Sequence, residues 1–314
     1  MRVTNTMMAN NLLRNLWANM ERLQEYQDQL ASGKKIRRPS DDPVRATSSL
    51  KLRSSLGEIE QYSKNVEDAK TWLEVTDSAL TNAIEVLQTA RERAVAGANG
   101  TLPQESREAI AQEVAQLRDQ LMQIANTNVG GRYIFGGTQT TKPPVGDGYQ
   151  PVYWDGSSWK ETGNWQGNEE SVEYEIAAGV KVTVNTLGNK LFHGYTENDT
   201  LRGGAIAVLN ELAKALEDRS KSGADISKWI GEIDLVLDKF IEEQGKLGAI
   251  ENRMEMTANR ILQQQIQQTD LLSQAEDADV AEAIINLKNQ ENAYRTTLAA
   301  GARIILPTLI DFLR

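Results

Sequence analysis

The sequence predicts a mainly α fold with an inserted β unit, an α+β class. Long coiled-coil-like helices from both chain halves pack as a bundle, and a small antiparallel β domain sits in the middle. Three observations lead there. Apolar residues recur at alternating steps of three and four through most of the chain, the spacing of a narrow helical seam. From about Phe135 to Gly194 that spacing gives way to glycine, proline, aromatics and period-two alternation. The two chain ends are the most alike parts, each a seamed segment of about 30 residues, roughly 45 Å long at the helical rise.

In the first segment the seam runs Thr6, Ala9, Leu13, Leu16, Met20, Leu23, Gln27, Leu30. Gly33 then stops the helix, because glycine accepts the left-handed conformation of a C-terminal cap. A connector follows, GKKIRRPSDDPVRATSSL, with Lys34, Lys35, Arg37, Arg38 and Pro39 ahead of Asp41, Asp42 and Pro43. Asp42 is placed to cap free N–H groups, and Pro43 fits the first helical position, where a missing N–H loses nothing. Pro43 also keeps Asp42 out of the α region, as an N-cap requires. The next helix carries Val66, Ala69, Leu73, Thr76, Leu80, Ala83, Leu87, Ala90 and Ala94, and ends near Gly97 and Gly100. A third carries Ile110, Val114, Leu117, Leu121 and Ile124, and ends at Gly130-Gly131.

In the middle, VYWDGSSW from Val152 sets Asp-Gly between two short apolar-aromatic runs, a hairpin signal. SVEYEIAAGVKVTVNT from Ser171 alternates Val172, Tyr174, Ile176, then Val180, Val182, Val184 around Gly179, which predicts two strands. Helix returns after Gly203-Gly204. One seam holds Ile226, Ile230, Ile233, Leu237 and Phe240, and another holds Leu247, Ile250, Met254, Thr257 and Ile261. Gly245 and Gly248 argue against one continuous rod. The last segment carries Val280, Ile284, Leu287, Glu291, Tyr294, Leu298, Gly301 and Ile305 before Pro307 breaks it. The expected division is 1–42 with 275–314 as terminal core segments, 43–134 with 201–274 as a helical bundle, and 135–200 as the β insertion. An isolated helix with so thin a stripe is marginal in water, so each end needs the other, and the pair needs further copies.

Composition narrows the function. The chain has 314 residues, 40% of them hydrophobic and 6% aromatic, with net charge −10. An acidic chain is a poor polyanion binder, and no nucleic-acid partner is expected. The start is the exception, with ten basic residues against five acids up to Arg53. The basic cluster admits a nucleic-acid or targeting reading, but two acids stand beside it; a contact loop facing an acidic neighbour, or simple solvation, fits better. There is no cysteine, and His193 is the one histidine, which removes disulfides, thiolate metal sites and most zinc and triad chemistry. No G-x-x-x-x-G-K-[ST], H-E-x-x-H or dinucleotide fingerprint occurs. The N-terminus lacks an uninterrupted apolar stretch of the secretory kind, and no run approaches a membrane span. No enzymatic activity, cofactor, metal or membrane partner is expected.

Trp154, Trp159 and Trp165 lie close together among glycine and serine. They read either as a sugar-stacking face or as the aromatic core of a small β unit, and the core is the simpler account. Trp17 and Trp72, on helices, read as packing residues. His193 reads as a plain loop or sheet histidine.

Several stretches together resemble the flagellin superfamily. SGKKIRRPSDDPVRATSS resembles its connector, and the form with prolines on both sides of Ser-Asp-Asp resembles its hook–filament junction branch. MRVTNTMMANNLLRNL is similar to the family's start. ANTNVGGRYIFGGTQTTKPP, from Ala125, resembles the turn leading to its outer domain. KLGAIENRMEMTANRI, DADVAEAIINLKNQENAYRTTLAAGARI and LIDFLR resemble its C-terminal half. The resemblance covers about Met1–Thr141 and Leu201–Arg314. It implies a structural flagellar protein, extracellular and exported without a cleaved signal peptide. Copies would form a short ring between a hook-side hook-associated protein and flagellin, after a cytoplasmic export chaperone has released the C-terminal helix. On that reading Leu13, Leu16, Met20, Leu23 and Leu30, with Ile284, Leu287, Tyr294, Leu298 and Ile305, are the assembly residues, and Arg37, Arg38, Pro39, Asp41, Asp42 and Pro43 form the connector. A filament-forming flagellin is the nearest alternative, and a glycan-binding accessory built on the tryptophans is a more distant one.

Overall fold

The structure is a computed structural model and describes residues 5–160, 163, 165–197 and 200–305, with the side chains of residues 5, 6, 197 and 303–305 excepted. Among the described residues there are six α-helices: α1 (Asn5–Ser32), α2 (Pro43–Gly97), α3 (Gln104–Ala125), α4 (Ala205–Glu217), α5 (Gly223–Glu276) and α6 (Val280–Ile305). The expected mainly α architecture with a β insertion is what the chain adopts. Its contacts divide it into two compact units, Met1–Ile59 with Gln263–Arg314, and Glu60–Leu262. The boundaries fall inside α2 and α5.

In the Glu60–Leu262 unit, the seam of α2 is buried as its spacing predicts. Val66, Leu73, Leu80, Leu87 and Ala94 follow a strict heptad, with Ala69, Thr76, Ala83 and Ala90 on the companion line. Thr76 is tolerated there because its hydroxyl donates to the Trp72 carbonyl at 2.7 Å, so its own donor is paired. Trp72 is buried beside it. In α5, Ile226, Ile233, Phe240, Leu247, Met254 and Ile261 form a second strict heptad. Gly245 and Gly248 do not interrupt it, contrary to expectation. α5 is one helix of 54 residues. The seam keeps its phase across both glycines, so burial on either side outweighs the roughly 1 kcal/mol that each costs relative to alanine. α3 buries Ala111, Val114, Leu121 and Ala125 and packs against α4. α4 is apolar almost all round, with Ala205–Leu209, Leu212 and Leu216 buried, as a short central helix must be.

The β insertion is not one sheet. Among the described residues the stretch 128–203, which begins before and ends after the expected 135–200, holds two-stranded antiparallel hairpins: β1 (Asn128–Val129) with β2 (Arg132–Tyr133), β3 (Tyr153–Trp154) with β4 (Trp159–Lys160), β5 (Glu173–Ala177) with β6 (Val180–Thr183), and β7 (Gly194–Glu197) with β8 (Thr200–Gly203). The Asp155-Gly156 turn closes the second hairpin. The Asp155 carboxylate accepts the backbone N–H groups of Ser157 and Ser158, and Gly156 takes φ +101°. Hairpins this small cannot hold a core alone, and aromatic side chains supply one. Phe192 meets Phe135 and Phe240 edge-on, at 5.0 and 5.3 Å between ring centres. Trp159 is buried, edge-on to both Trp154 and Trp229. Lys228 Nζ sits 3.7 Å from the centre of the Trp154 ring, so part of that face is already occupied. His193 closes a π-helical turn, Asn189–His193, rather than lying in a loop or strand. It is buried, stacked on Trp165, with the Tyr149 hydroxyl 2.7 Å from Nδ1. Burial pushes the Tyr149 phenol well above its ordinary pKa.

Candidate assembly surface and its connector

The terminal unit is built on α1 and α6, which lie antiparallel. Leu12 packs against Gly301 near one end, and Lys34 pairs with Asp277 in an isolated antiparallel bridge near the other. The buried or half-buried line of α1 is Ala9, Leu12, Leu16, Asn19, Leu23, Tyr26 and Leu30. That of α6 is Ala283, Leu287, Gln290, Tyr294, Thr297 and Gly301. Leu16, Leu23 and Leu30 on α1, with Leu287 and Tyr294 on α6, therefore lie in the seam. The alternate positions are displaced by one residue from the apolar line of the sequence. Where that line runs through Leu13, Met20, Ile284 and Leu298, the helix pair instead turns Leu12, Asn19, Ala283 and Thr297 inward.

The inward line is partly polar, and Asn19, Gln290 and Thr297 pair across it. Asn19 Nδ2 donates to Thr297 Oγ1 at 3.1 Å, and Gln290 Nε2 donates to Asn19 Oδ1 at 3.0 Å and to its carbonyl at 3.1 Å. Amides in a seam fix register, because a slip of either helix strands them unbonded. The apolar residues are left outside. Leu13 is 50% exposed, Trp17 66%, Ile284 47% and Leu298 43%, with Met20 and Ile285 exposed beside them. Trp17 is thus not a packing residue within the chain. The side chain of Ile305 lies outside the described residues.

The connector is as ordered as its chemistry suggests. Gly33 adopts φ +68° and donates its N–H to the Gln29 carbonyl at 2.8 Å, closing α1. Asp42 Oδ1 accepts the N–H groups of Val44 and Arg45 at 3.1 and 3.0 Å, the N-cap of α2, with Pro43 at the first position. Asp41 Oδ2 accepts the N–H groups of Arg38 and Arg37 at 2.8 and 3.1 Å, and these bonds lower the Asp41 pKa. Pro39 starts that tight loop. The acidic neighbour of the basic cluster lies in the same chain. Arg37 pairs with Asp28 at 3.0 Å, and Lys34, Lys35, Arg37 and Arg38 line a cleft with Glu21, Glu25 and Asp28 of α1.

A residue that the sequence did not single out ties the connector down. Glu276, the last residue of α5, is 3% exposed. Arg53 forks onto it, Nε to Oε1 and Nη2 to Oε2, both at 2.6 Å. Lys34 Nζ reaches Oε2 at 2.8 Å, and the buried Ser49 hydroxyl donates to Oε1. The backbone joins in. Lys35 N–H donates to the Glu276 carbonyl at 2.6 Å, and Ala278 N–H donates to the Gly33 carbonyl at 2.9 Å. The Arg53 guanidinium, with Lys34 and Ser49, holds the Glu276 carboxyl down at about 2 against the opposing effect of burial. Asp279 Oδ1 then caps α6 by accepting from Ala281 and Glu282. The signal available in the sequence was the run Glu276-Asp277-Ala278-Asp279, a polar break between two seams.

Comparison with known proteins agrees with this architecture. The bacterial flagellin N-terminal helical region matches residues 3–140, and the bacterial flagellin C-terminal helical region matches residues 230–312. The interval between them contains most of the β insertion. Flagellar hook-associated protein 3 of Escherichia coli (strain K12) is 26% identical over 94% of this chain and 95% of its own length. That of Salmonella typhimurium is 23% identical over 94% and 96%. The flagellin of Bacillus subtilis (strain 168) is 26% identical over 90% and 88%. Two solved structures share the fold. A putative flagellar hook-associated protein from Vibrio parahaemolyticus superposes with TM-score 0.62 at 20% identity, over 76% of this chain and all of that one. Bacillus cereus FlgL gives 0.56 at 23%, over 71% and 99%. With both helical regions matched over most of its length, the chain belongs to the bacterial flagellin family.

Proposed function

We propose that the chain is a structural junction protein of the bacterial flagellum, linking a hook-side hook-associated protein to the flagellin filament through its terminal helices. The observation that carries this is the outward apolar stripe of the α1–α6 pair. One face of each helix is satisfied within the chain, and Leu13, Trp17, Met20, Ile284 and Leu298 are left for neighbours. Relatives named for hook association match nearly end to end, which favours the junction over a filament-forming flagellin. On this reading 1–42 and 275–314 nest against each other within the chain, and their outward face is completed by nesting against adjoining copies in a ring. The segments 43–134 and 201–274 form a helical bundle, and 135–200 is a β insertion within it in sequence. A cytoplasmic chaperone holds the C-terminal helix before export, which needs no cleaved signal peptide.

The aromatic cluster does not favour the glycan-binding alternative, since Trp159 is buried and Trp154 carries Lys228 on its ring. The test is localisation of labelled protein on isolated flagella. A single band at the hook–filament boundary is expected. Label along the whole filament would assign the chain to the flagellins proper.

A further inference from the structure

We propose that Glu276 is a positioning residue for both terminal arms: its side chain clasps the connector that follows α1, while its backbone opens the turn into α6. The N-terminal arm is thereby held by a carboxylate 242 positions further along the chain. Three separate segments meet at that carboxylate. Lys34 comes from the connector, Ser49 and Arg53 come from the first turns of α2, and Glu276 itself ends α5. The other side-chain contacts of the connector act differently. Asp41 bonds within the loop, Asp42 caps its own helix, and Arg37 reaches back to α1, so none of them ties the loop to the C-terminal half.

Energy alone does not explain such a buried cluster, because a buried ion pair is often no better than apolar packing of the same volume. Its distinctive property is direction. The Arg53 fork fixes the carboxylate plane, and the carboxylate then fixes where Lys34 emerges. Two backbone hydrogen bonds, one on each side of the Lys34–Asp277 bridge, carry that direction into both arms. Removing the charge while keeping the shape would leave Lys34 and Arg53 facing an amide and set the connector loose, without disturbing the core at Leu73 or Phe240.

The experiment is limited trypsin digestion of the full chain, read by mass at each cut. The connector supplies its own reporters, since Lys35 and Arg37 are exposed; Arg38 does not serve, because Pro39 follows it and blocks tryptic cleavage. Glu276→Gln is expected to raise cleavage there at least tenfold, with cuts between residues 60 and 262 unchanged. Lys34→Met, which opens the same clasp from its exposed side, moves the rate the same way by a smaller factor and serves if Glu276→Gln fails to fold. Glu276→Asp, retaining the charge, restores part of the protection. Unchanged connector cleavage in both Glu276→Gln and Lys34→Met, or an equal rise throughout the chain in both, overturns the proposal. The assay uses isolated protein, so its outcome is independent of whether the chain sits at the junction, which localisation decides.

Discussion

Replacing Leu13 by aspartate separates what α1 does within the chain from what it does between copies. Leu13 is 50% exposed, beside Trp17 at 66%, and Ile284 and Leu298 on α6 are 47% and 43% exposed. Full burial of such a side chain is worth about 1.5–3 kcal/mol, so the exposed half of each withholds about 1 kcal/mol from the isolated chain. Four such side chains hold roughly 3–6 kcal/mol per copy that only association can realise. Aspartate at 13 removes about 1 kcal/mol of that and sets an unpaired carboxylate in the contact, which costs several kcal/mol more. In the isolated chain the site is open to water, and the expected change is below about 1 kcal/mol. Circular dichroism of the purified variant should therefore show a melting curve close to wild type. Cells carrying it as their sole copy should fail to retain the protein on flagella and should not spread in soft agar. Retention and spreading at wild-type levels would refute the reasoning, as would unfolding of the isolated variant to the extent seen for a core truncation such as Leu73→Ala.

Acid should weaken the terminal unit through Glu276. Its folded pKa is held at about 2, below the ordinary 4.5, so its contribution is complete above the ordinary value and is lost as pH falls through the folded one. At about 1.4 kcal/mol per tenfold, that difference amounts to roughly 3 kcal/mol. Urea unfolding at about pH 5 and about pH 2 should show a loss of that order in wild type that Glu276→Gln lacks; parallel behaviour of the two would be evidence against it. Gly203→Ala tests the aromatic core of the insertion. A Cβ there would lie 2.5 Å from the buried Trp159 ring, which Trp154 and Trp229 flank. A destabilisation of about 1–3 kcal/mol is expected in thermal unfolding, and an unchanged midpoint would mean that the ring is not locked.

Much of this fold was legible because helical seams are written locally. The heptads of α2 and α5 could be read directly, and so could the Gly33 stop and the Asp42-Pro43 start, each needing only residues within a turn or two. The Asp155-Gly156 hairpin is of the same kind. The phase of the α1–α6 seam was only half legible. Ala9, Leu16, Leu23 and Leu30 belong to two adjacent stripes, and the sequence cannot say whether Leu13 and Met20 or Leu12 and Asn19 complete the inner one. Hydrophobicity points to the first pair, whereas within one chain the bonded amides take the inside. Glu276 was illegible for a different reason. Its partners lie 223 to 242 positions away, and the polar break in which it stands marks a boundary without naming them. The surroundings of His193 were likewise out of reach, since Trp165 and Tyr149, which stack on it and bond it, lie 28 and 44 positions away.

The rungs formed by Asn19, Gln290 and Thr297 bear on how readily the two arms part. Amide and hydroxyl groups exchange one hydrogen-bonding neighbour for another at little net penalty when water is at hand. Opening the pair at those rungs thus exposes groups that solvent welcomes, and closing it again needs no search for a lost fit, since only one alignment satisfies all three. The fastening between the first and last helices is in this sense a reusable one: easy to undo, and able to close in a single way.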